Sequence, residues 1–297
     1  MKKTVITILA ENSVGKSGLL GEHGFSAFIE RDDEKYLFDT GPGLSLPHNI
    51  KLLGKNLSGL NKIIISHGHY DHTGGLKWAV REAGGAEIVA HPEIFSRHSI
   101  EDRKNKVSAF RYVGCPYSQE ELEADGAHFN FIDRTEKIAP GLWFIAGIKR
   151  KPEYIPNDSR LVIPHNDNFA PDMINDDASL LLECEDASPV LMLGCAHSGI
   201  LNILKHIREK MGIRKLRAVI GGTHLMFSDS QDISLVIERL EEFSVDTVGV
   251  SHCTGMKAAV ELAKYFGERF VMASAGSVFD LQQSAGTSES GSSALRN

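Results

Sequence analysis

The chain has 297 residues, of which 42% are hydrophobic and 24% are charged, a composition that excludes a disordered or fibrous architecture for most of its length. Its formal net charge of -7 predicts no overall attraction to nucleic acid, and no run approaches the roughly 18 apolar residues of a membrane-spanning helix. Glu11 and Asn12 interrupt the first apolar stretch too early for a signal peptide, and the four cysteines lack any paired short spacing. We therefore expect a soluble cytoplasmic enzyme with reduced thiols, and neither a membrane nor a nucleic-acid partner.

The first third of the sequence predicts a sheet whose strands are joined by tight turns. β-Branched and apolar runs bounded by Gly and Asp favour strands at 4–9, 26–30, 35–41, 62–66 and 86–90. The apolar spacing predicts one helix at 46–57 and another at 74–84. These helices are expected to pack against the sheet.

Two long polar stretches near 92–128 and 149–177 interrupt this regular order. We expect both to be irregular insertions, and the second contains four prolines. Long connections inside a compact domain are often functional lids, although solvated surface loops are the alternative.

From residue 179 the order of strand and helix repeats. Strands are predicted at 179–185, 190–195, 216–222, 247–252 and 269–274, and helices at 199–210, 232–243 and 257–266. Such alternation predicts helices packed against sheets. One catalytic domain is therefore expected over residues 1–281, followed by a flexible tail rich in Ser and Gly at 282–297.

Three imidazoles and a carboxylate follow directly after the apolar strand at 62–66: His67, His69, Asp71 and His72. Neutral imidazole and ionised carboxylate are good ligands for zinc and also suit iron or manganese. His67 and His69 can face one ion from an extended segment, while Asp71 and His72 can serve a second ion from the bend that follows. The spacing therefore predicts one or two divalent metal ions in adjacent sites.

The string SHGHYDHTGGL resembles the HxHxDH signature of the metallo-β-lactamase superfamily, and FDTG at 38–41 resembles the upstream aspartate motif of that fold. Segments at 21–30, 176–183, 194–204, 221–225 and 251–255 are similar, in the same order, to those of the dihydropterin ribofuranosyl-aminobenzene phosphate synthases of methanopterin biosynthesis. This resemblance covers the chain from about residue 5 to residue 280. It implies an α/β (α+β) fold, an αββα four-layer sandwich, with the metal site at one rim.

The resemblance also implies roles for residues outside the first cluster. Asp39 would support the metal site by hydrogen bonding, and His197 and His252, which each follow an apolar strand, would be the later metal ligands. Common superfamily members carry Gly-Asp where this chain has Gly194-Cys195. Asp177, or Cys195 as a thiolate, is therefore an alternative ligand, and a small buried apolar residue is the other interpretation of Cys195.

The remaining histidines receive different expectations. His224 is a candidate catalytic residue and is expected to be a ligand, a substrate contact or an oxyanion donor. His23 is expected to line the pocket or to be structural, and the others, including His91 and His98, are expected to be ordinary core or surface residues.

These residues predict metal-dependent hydrolysis, because a bound metal ion makes hydroxide available at neutral pH, with Asp71 holding or deprotonating the nucleophile. The resemblance implies transfer as an alternative, in which a pterin precursor is joined to a ribofuranosyl-aminobenzene phosphate. We expect a small-molecule substrate, phosphorylated or pterin-like, and a phosphate group in it would need cationic donors. The candidates, which are otherwise a solvated face, are Arg103, Lys104, Lys106 and Arg111. Two hypotheses from other classes remain. One is a metal-binding sensor without turnover, and the other is a nuclease, which the negative net charge disfavours.

Overall fold

Short apolar runs form the strands of the computed structural model, which describes residues 4–102, 109–166, 168–184 and 187–281. In chain order the strands are β1 (Thr4–Ala10), β2 (Ser26–Arg31), β3 (Glu34–Phe38), β4 (Lys62–Ile64), β5 (Ala86–Ala90), β6 (Ser99–Asp102), β7 (Ala109–Tyr112), β8 (Ala127–Phe131), β9 (Glu136–Ala139), β10 (Leu142–Ile145), β11 (Leu161–His165), β12 (Asn168–Pro171), β13 (Ser179–Cys184), β14 (Ala187–Leu193), β15 (Ala218–Gly222), β16 (Thr247–Ser251), β17 (Phe270–Met272) and β18 (Val278–Asp280). The α-helices are α1 (Ser45–Leu52), α2 (Tyr70–Thr73), α3 (Leu76–Ala83), α4 (Gln119–Ala124), α5 (Ile200–Met211), α6 (Ser230–Glu242) and α7 (Met256–Phe266). Short 3-10 helices span Pro152–Tyr154, Leu225–Phe227, His252–Thr254 and Gly267–Arg269.

Two mixed sheets form the body of the protein. The first has the strand order β18-β1-β2-β3-β4-β5-β8, and the second has the order β17-β16-β15-β14-β13-β10-β9. Strands β3, β4, β5 and β8 are parallel to one another, as are β14, β15, β16 and β17. The central parallel strands β4, β5 and β15 are buried on both faces, which explains their nearly continuous apolar sequences.

The buried apolar residues fall into three groups that define the layers. Side chains such as Ile8 and Leu180 fill the space between the two sheets. Helices α1, α3 and α4 cover the outer face of the first sheet with residues such as Val80. Helices α5, α6 and α7 cover the second sheet with residues such as Leu204. The resulting order of helix, sheet, sheet and helix is the predicted αββα sandwich.

The carboxyl ends of the parallel strands meet at one rim of the sandwich. The sheets are joined there directly, because the backbone N–H of Ala178 donates to the carbonyl oxygen of Ser66 at 2.8 Å. Four non-glycine residues that follow strand ends at this rim have left-handed backbones, with φ values of 56°, 57°, 51° and 46° for Asp39, Ala196, His224 and His252. These turns redirect the chain abruptly, so that side chains from both sheets point across the rim.

The two insertions differ from the irregular structure expected of them. Their described parts form a third, antiparallel sheet in the order β12-β11-β6-β7, in which Leu161 pairs with Ile100. The strands are four or five residues long and include Pro164 and Pro171, so their sequence signal is weak. The backbone N–H of Tyr70 donates to the carbonyl oxygen of Val113 at 2.8 Å, which attaches this sheet to the loop that carries the histidine cluster.

Some predicted features lie outside the described residues. These are Arg103, Lys104 and Lys106, and the tail at 282–297. Among the helices in the described part of the chain, none has the length and apolar character required to cross a bilayer.

Candidate metal centre

Three imidazoles converge where β4 and β14 end. His67 and His69 lie in the segment after β4, and His197 lies in the turn after β14. His67 Nε2 is 3.1 Å from His69 Nδ1, and the ring centroids of His67 and His197 are 4.8 Å apart. One potential ligand nitrogen of each ring lies within 4.8 Å of the other two. This group of three histidines is called the first position below.

Burial, together with mutual repulsion between rings, lowers the pKa values of these histidines. The pKa of His69 falls to about 4, and the pKa values of His67 and His197 lie well below the usual 6.5. The rings are therefore neutral at physiological pH and offer lone pairs to a cation. His197 Nε2 is buried without a hydrogen-bond partner among the described residues, which is costly for a polar atom unless it binds a ligand.

A second group, called the second position, contains a carboxylate. Asp71 and His72 lie on α2, and His252 follows β16. Asp71 Oδ2 is 3.4 Å from His252 Nε2, and the ring centroids of His72 and His252 are 5.2 Å apart. Burial alone would raise the pKa of Asp71, but the interactions with His252 and His72 hold it below its usual range, so the carboxylate is ionised.

Cys195 lies between the two positions. Its Sγ is 3.2 Å from His72 Nε2, and the same sulfur falls in one group with His67 and His72 and in another with His197 and His224. Burial raises the pKa of this thiol well above its usual value, so a neighbouring cation would be needed to hold it as a thiolate.

Asp39 supports one ligand of each position. Asp39 Oδ2 accepts hydrogen bonds from His72 Nδ1 and from Ser66 Oγ, both at 2.7 Å. Because the Ser66 hydroxyl donates to Asp39, its oxygen accepts from His67 Nδ1, at 2.9 Å. Both histidines therefore hold a proton on Nδ1, so Nε2 is the nitrogen of each ring that can face a metal. Although burial lowers it, Asp39 raises the pKa of His72 to about 8.

The close approach of the two sheets at Asp39 requires a glycine on the second sheet. A Cβ atom at Gly194 would lie 2.0 Å from Ser66 Oγ and 3.1 Å from Asp39 Oδ2. The glycine that precedes Cys195 is therefore a packing requirement of the Asp39 and Ser66 network.

Asp177 holds the backbone of the turn that carries His197. Its Oδ1 accepts from the backbone N–H of His197 at 3.0 Å, and its Oδ2 accepts from that of Ser198 at 2.8 Å. Both carboxylate oxygens are occupied in this way, and Asp177 belongs to none of the candidate metal groups formed by the described residues. Of the two roles left open by the sequence, the geometry favours support over ligation.

The end of β1 holds His252 in the same way. Glu11, which is 2% exposed, accepts from the backbone N–H of His252 at 2.6 Å through Oε1. The adjacent Asn12 contacts the ring, with its Oδ1 atom 2.8 Å from His252 Nδ1. These two residues were missed in the sequence, although their position directly after a strand that ends at this rim is the same signal that identified Asp39.

His224 lies beside the first position rather than within it. Its ring centroid is 4.3 Å from that of His197, and its Nε2 is 3.9 Å from Asp158 Oδ2, an ion-pair distance that is too long for a hydrogen bond. Burial lowers the pKa of His224, but Asp158 and Cys253 raise it by a larger amount, so that it reaches about 9. Both ring nitrogens are buried without a hydrogen-bond partner among the described residues, and one of them lies in a candidate metal group with Cys195 and His197, so the geometry fits metal ligation as well as substrate contact.

An open cavity of about 100 Å³ lies beside both positions. Four of the candidate ligands line it: His69, Asp71, His197 and His252. Ile100, Arg111, Arg160 and Leu161, from the third sheet and its edge, line it as well. Asp158 pairs with Arg160 at 2.8 Å, and the guanidinium of Arg160 lies 4.6 Å from the centre of the Phe227 ring.

His98 belongs to the surroundings of the site, contrary to the ordinary role expected for it. Its Nδ1 is 2.6 Å from Asp172 Oδ2, its Nε2 is 3.5 Å from Asp176 Oδ1, and its ring centroid is 5.1 Å from that of His69. Asp176 Oδ2 also accepts from the backbone N–H of Gly68 at 2.6 Å. Although burial opposes the charged form, the two carboxylates raise the pKa of His98 to about 10. A buried cation thus ties both insertions to the metal-binding loop.

The donor set fits a divalent transition metal. Neutral imidazoles, an ionised carboxylate and a thiol are the ligand types that zinc uses, and the imidazole and carboxylate groups also suit iron or manganese. Their burial and the unpartnered Nε2 of His197 fit a bound cation better than a purely structural cluster. The clusters of donors support binding of a divalent metal ion.

A four-layer sandwich that gathers these donors at the ends of its strands defines a class of metalloproteins. Residues 20–145 match the family model of the metallo-beta-lactamase superfamily. The chain is 30% identical over 286 residues to the 7,8-dihydropterin-6-methyl-4-(beta-D-ribofuranosyl)-aminobenzene-5'-phosphate synthase of Methanocaldococcus jannaschii, covering 92% of this chain and 95% of the relative. An uncharacterised protein of the same organism is 28% identical over 264 residues, covering 88% of this chain and 94% of the relative. The chain belongs to the metallo-β-lactamase superfamily.

Solved structures are similar over nearly the whole chain. Tm1679, described as a metal-dependent hydrolase of the beta-lactamase superfamily, has a TM-score of 0.77 and 28% identity, covering 93% of this chain and 98% of its own. Zn(2+)-bound PqqB from Methylobacterium extorquens has a TM-score of 0.56 and 12% identity, covering 93% of this chain and 100% of its own, and shows a shared fold. The predicted family and fold are thus confirmed.

The structure brings most of the predicted site residues together: His67, His69, Asp71, His72, His197 and His252 around the two positions, with Asp39, Asp177, His224 and Arg111 next to them. It also adds residues that the sequence interpretation did not include: Glu11, Asn12, Ser66, His98, Asp158, Arg160 and Asp176.

Proposed function

We propose that the protein is a metal-dependent enzyme that hydrolyses a small anionic substrate, or transfers a group from it, at two adjacent metal positions. The observation that carries this proposal is the convergence of buried donors from separate strand ends, four of which line one open cavity: His69, Asp71, His197 and His252. Such a concentration of donors in a concave site is the usual starting point for assigning an active site.

The ligands at the first position would be His67, His69 and His197, and those at the second would be Asp71, His72 and His252. Cys195 is the additional candidate ligand, because its sulfur is close to donors of both positions. Zinc suits this set best because it accepts imidazole, carboxylate and thiolate together, and iron or manganese are the alternatives.

A divalent metal ion bound here would lower the pKa of a coordinated water from about 15.7 to about 7 and would polarise a phosphoryl or carbonyl oxygen. Asp71, which is ionised and lines the cavity, would orient the attacking group. His224 would donate a hydrogen bond to a substrate oxygen beside the first position. Ile100 and Leu161 form apolar parts of the cavity wall.

The substrate is proposed to be small and to carry a phosphate. Arg111 and Arg160 bring guanidinium groups to the cavity, and such groups form charge-assisted hydrogen bonds with phosphate oxygens. The relative with 30% identity is named as the synthase of a 5'-phosphate, which supports this substrate class. The same name favours a second candidate function, the transfer reaction that joins a dihydropterin to a ribofuranosyl-aminobenzene phosphate.

The test is turnover by protein loaded separately with zinc, iron or manganese. We expect either hydrolysis of phosphate mono- or diesters or condensation of a dihydropterin with a ribofuranosyl-aminobenzene phosphate. A chelator should abolish this activity, and added metal should restore it. Arg111→Ala should raise KM for a phosphorylated substrate about tenfold, because the variant loses one charge-assisted contact with the phosphate. Arg134→Ala is the matched control, because Arg134 is exposed and pairs with Glu136 away from the cavity.

Stoichiometric metal binding without turnover of phosphate esters, thioesters, lactams or pterins would contradict the proposal and favour a metal-binding sensor. Salt-sensitive binding and cleavage of RNA would instead favour a nuclease.

A further inference from the structure

Two imidazoles approach the same carboxylate oxygen of the second position from different sides. His252 Nε2 and His23 Nε2 each lie 3.4 Å from Asp71 Oδ2. The His252 ring is buried, with 2% of its side chain exposed, whereas 60% of the His23 side chain is exposed at the mouth of the cavity. Because both nitrogens are equally close to Asp71, distance alone does not distinguish a metal ligand from a hydrogen-bond donor.

Asn12 contacts the far side of both rings. Its Oδ1 atom is 2.8 Å from His252 Nδ1, and its Nδ2 atom is 3.2 Å from His23 Nδ1. A side-chain amide offers an acceptor on one side and a donor on the other. The two rings therefore meet opposite ends of the same amide.

The orientation of the Asn12 amide is fixed by a third contact. The backbone N–H of Gly24 donates to Asn12 Oδ1 at 3.1 Å, and a backbone N–H can only donate. An amide turned the other way would place its NH₂ group against this donor. The oxygen must therefore face Gly24 and His252, and the NH₂ group must face His23.

These contacts determine the tautomer of each neutral ring. His252 must carry its proton on Nδ1 in order to donate to Asn12, so its Nε2 presents a lone pair to the second position. His23 must accept at Nδ1, so its proton lies on Nε2 and points toward Asp71. Metal ligation requires an unprotonated nitrogen, and this condition is met at Nε2 of His252 but not at Nε2 of His23.

We propose that Asn12 is a positioning residue that gives His252 and His23 opposite tautomers, so that His252 binds the second metal while His23 stays outside the ligand set as a hydrogen-bond donor. The inference rests on the proposed function for the identity of the second position as a metal site. In this role His23 directs its single N–H group at Asp71 and stabilises that carboxylate.

The direct test is the tautomeric state of both rings in metal-free protein labelled with ¹⁵N-histidine, read from long-range ¹H–¹⁵N correlation spectra at a pH where the rings are neutral. We expect the proton on Nδ1 in His252 and on Nε2 in His23. In Asn12→Asp the new carboxylate accepts from both rings, so His23 should move its proton to Nδ1 while His252 remains unchanged. The same tautomer in both rings of the wild type, or an unchanged His23 in Asn12→Asp, would overturn the proposal.

Metal binding provides the second measurement. By calorimetry with zinc, Asn12→Ala should weaken binding at one of the two positions by about 10- to 100-fold, the range found when a partner that orients a ligand is lost. Asn12→Asp should retain binding, because it keeps the acceptor for His252. Asn12 is exposed, so neither change is expected to unfold the protein, and Asn130→Ala on β8 is the matched exposed control. Wild-type binding by Asn12→Ala would contradict the assignment.

The spectra of the metal-free protein require neither bound metal nor turnover, so they separate this inference from the proposed function. If the tautomers are as expected but the protein turns over no substrate, the inference about Asn12 stands and the proposed activity is wrong.

Discussion

The two candidate metal positions are supported in different ways. At the first position, His67 is held by a hydroxyl group, His197 is held through its backbone, and the loop between His67 and His69 is attached to the third sheet through Asp176. At the second position, a carboxylate contacts the His72 ring directly, and Glu11 and Asn12 hold the backbone and the ring of His252. Direct contact with a carboxylate raises the basicity of a ligand. The first position is therefore held by a hydroxyl group and by backbone contacts from the end of the second insertion, and the second position by contacts from the body of the sandwich.

Removing a ligand should produce the largest effect and should be confined to one position. His197→Ala should lose the first metal equivalent and His252→Ala the second. In each variant kcat/KM should fall by more than about 100-fold, because loss of a residue that only orients a ligand already costs up to about that much. Metal content after dialysis and steady-state kinetics measure the two effects. His128→Ala, on an exposed side chain of β8, is the matched control. If either variant lost both metals, the two positions would not be independent.

Disturbing the contact between Asp39 and His72 should have a smaller effect. Asp39→Asn replaces an acceptor of three hydrogen bonds with an amide that can satisfy only part of them. We expect affinity for the second metal to fall about 10- to 100-fold, measured by competition with a chromogenic chelator.

The corresponding change at the first position provides the comparison. Asp177→Asn keeps one acceptor for the turn that carries His197, so its effect on the first metal should fall below that range. An equal or larger loss in Asp177→Asn would contradict the distinction between backbone and ring support.

The smallest effect on metal binding, although a clear one on stability, is expected from the third sheet. His98→Asn would leave Asp172 and Asp176 buried without their cation, and loss of one partner of a buried ion pair costs about 3–5 kcal/mol. The free energy of unfolding, measured with urea, should fall by about this amount, and metal affinity should weaken only at the first position. Adding Asp172→Asn should recover part of the stability. A loss confined to the second position would show that the insertion supports the other half of the site.

The local sequence was sufficient to predict the candidate donors that lie close together in the chain. The segment from His67 to His72 places its donors on one strand end and one short helix, so spacing alone identified it. His197 and His252 were identified because each follows an apolar strand and lies within a motif of the family. Parallel strands then align these ends at a single rim, which is why residues far apart in sequence meet there.

The remaining residues depend on tertiary contacts that no spacing reveals. His98 reaches Asp172 across 74 residues of sequence, and the strands that bring them together are short and interrupted by proline. Asp177 shows a different limit, because its sequence position placed it near the site without showing which way its carboxylate faces. The oxygens point beneath the 196–198 turn, and only the packing of β13 against β14 determines this.

The left-handed backbones at Asp39, Ala196, His224 and His252 have a consequence for laboratory evolution. Each such conformation costs about 1–3 kcal/mol in a residue other than glycine and persists only because its surroundings enforce it. A library of variants sorted for heat resistance alone should therefore accumulate glycine or asparagine at these four positions, and three of the four replacements would remove a donor or its support. Selection for thermal stability alone would then yield variants that are more stable but catalytically inactive, unless activity is also selected in every round.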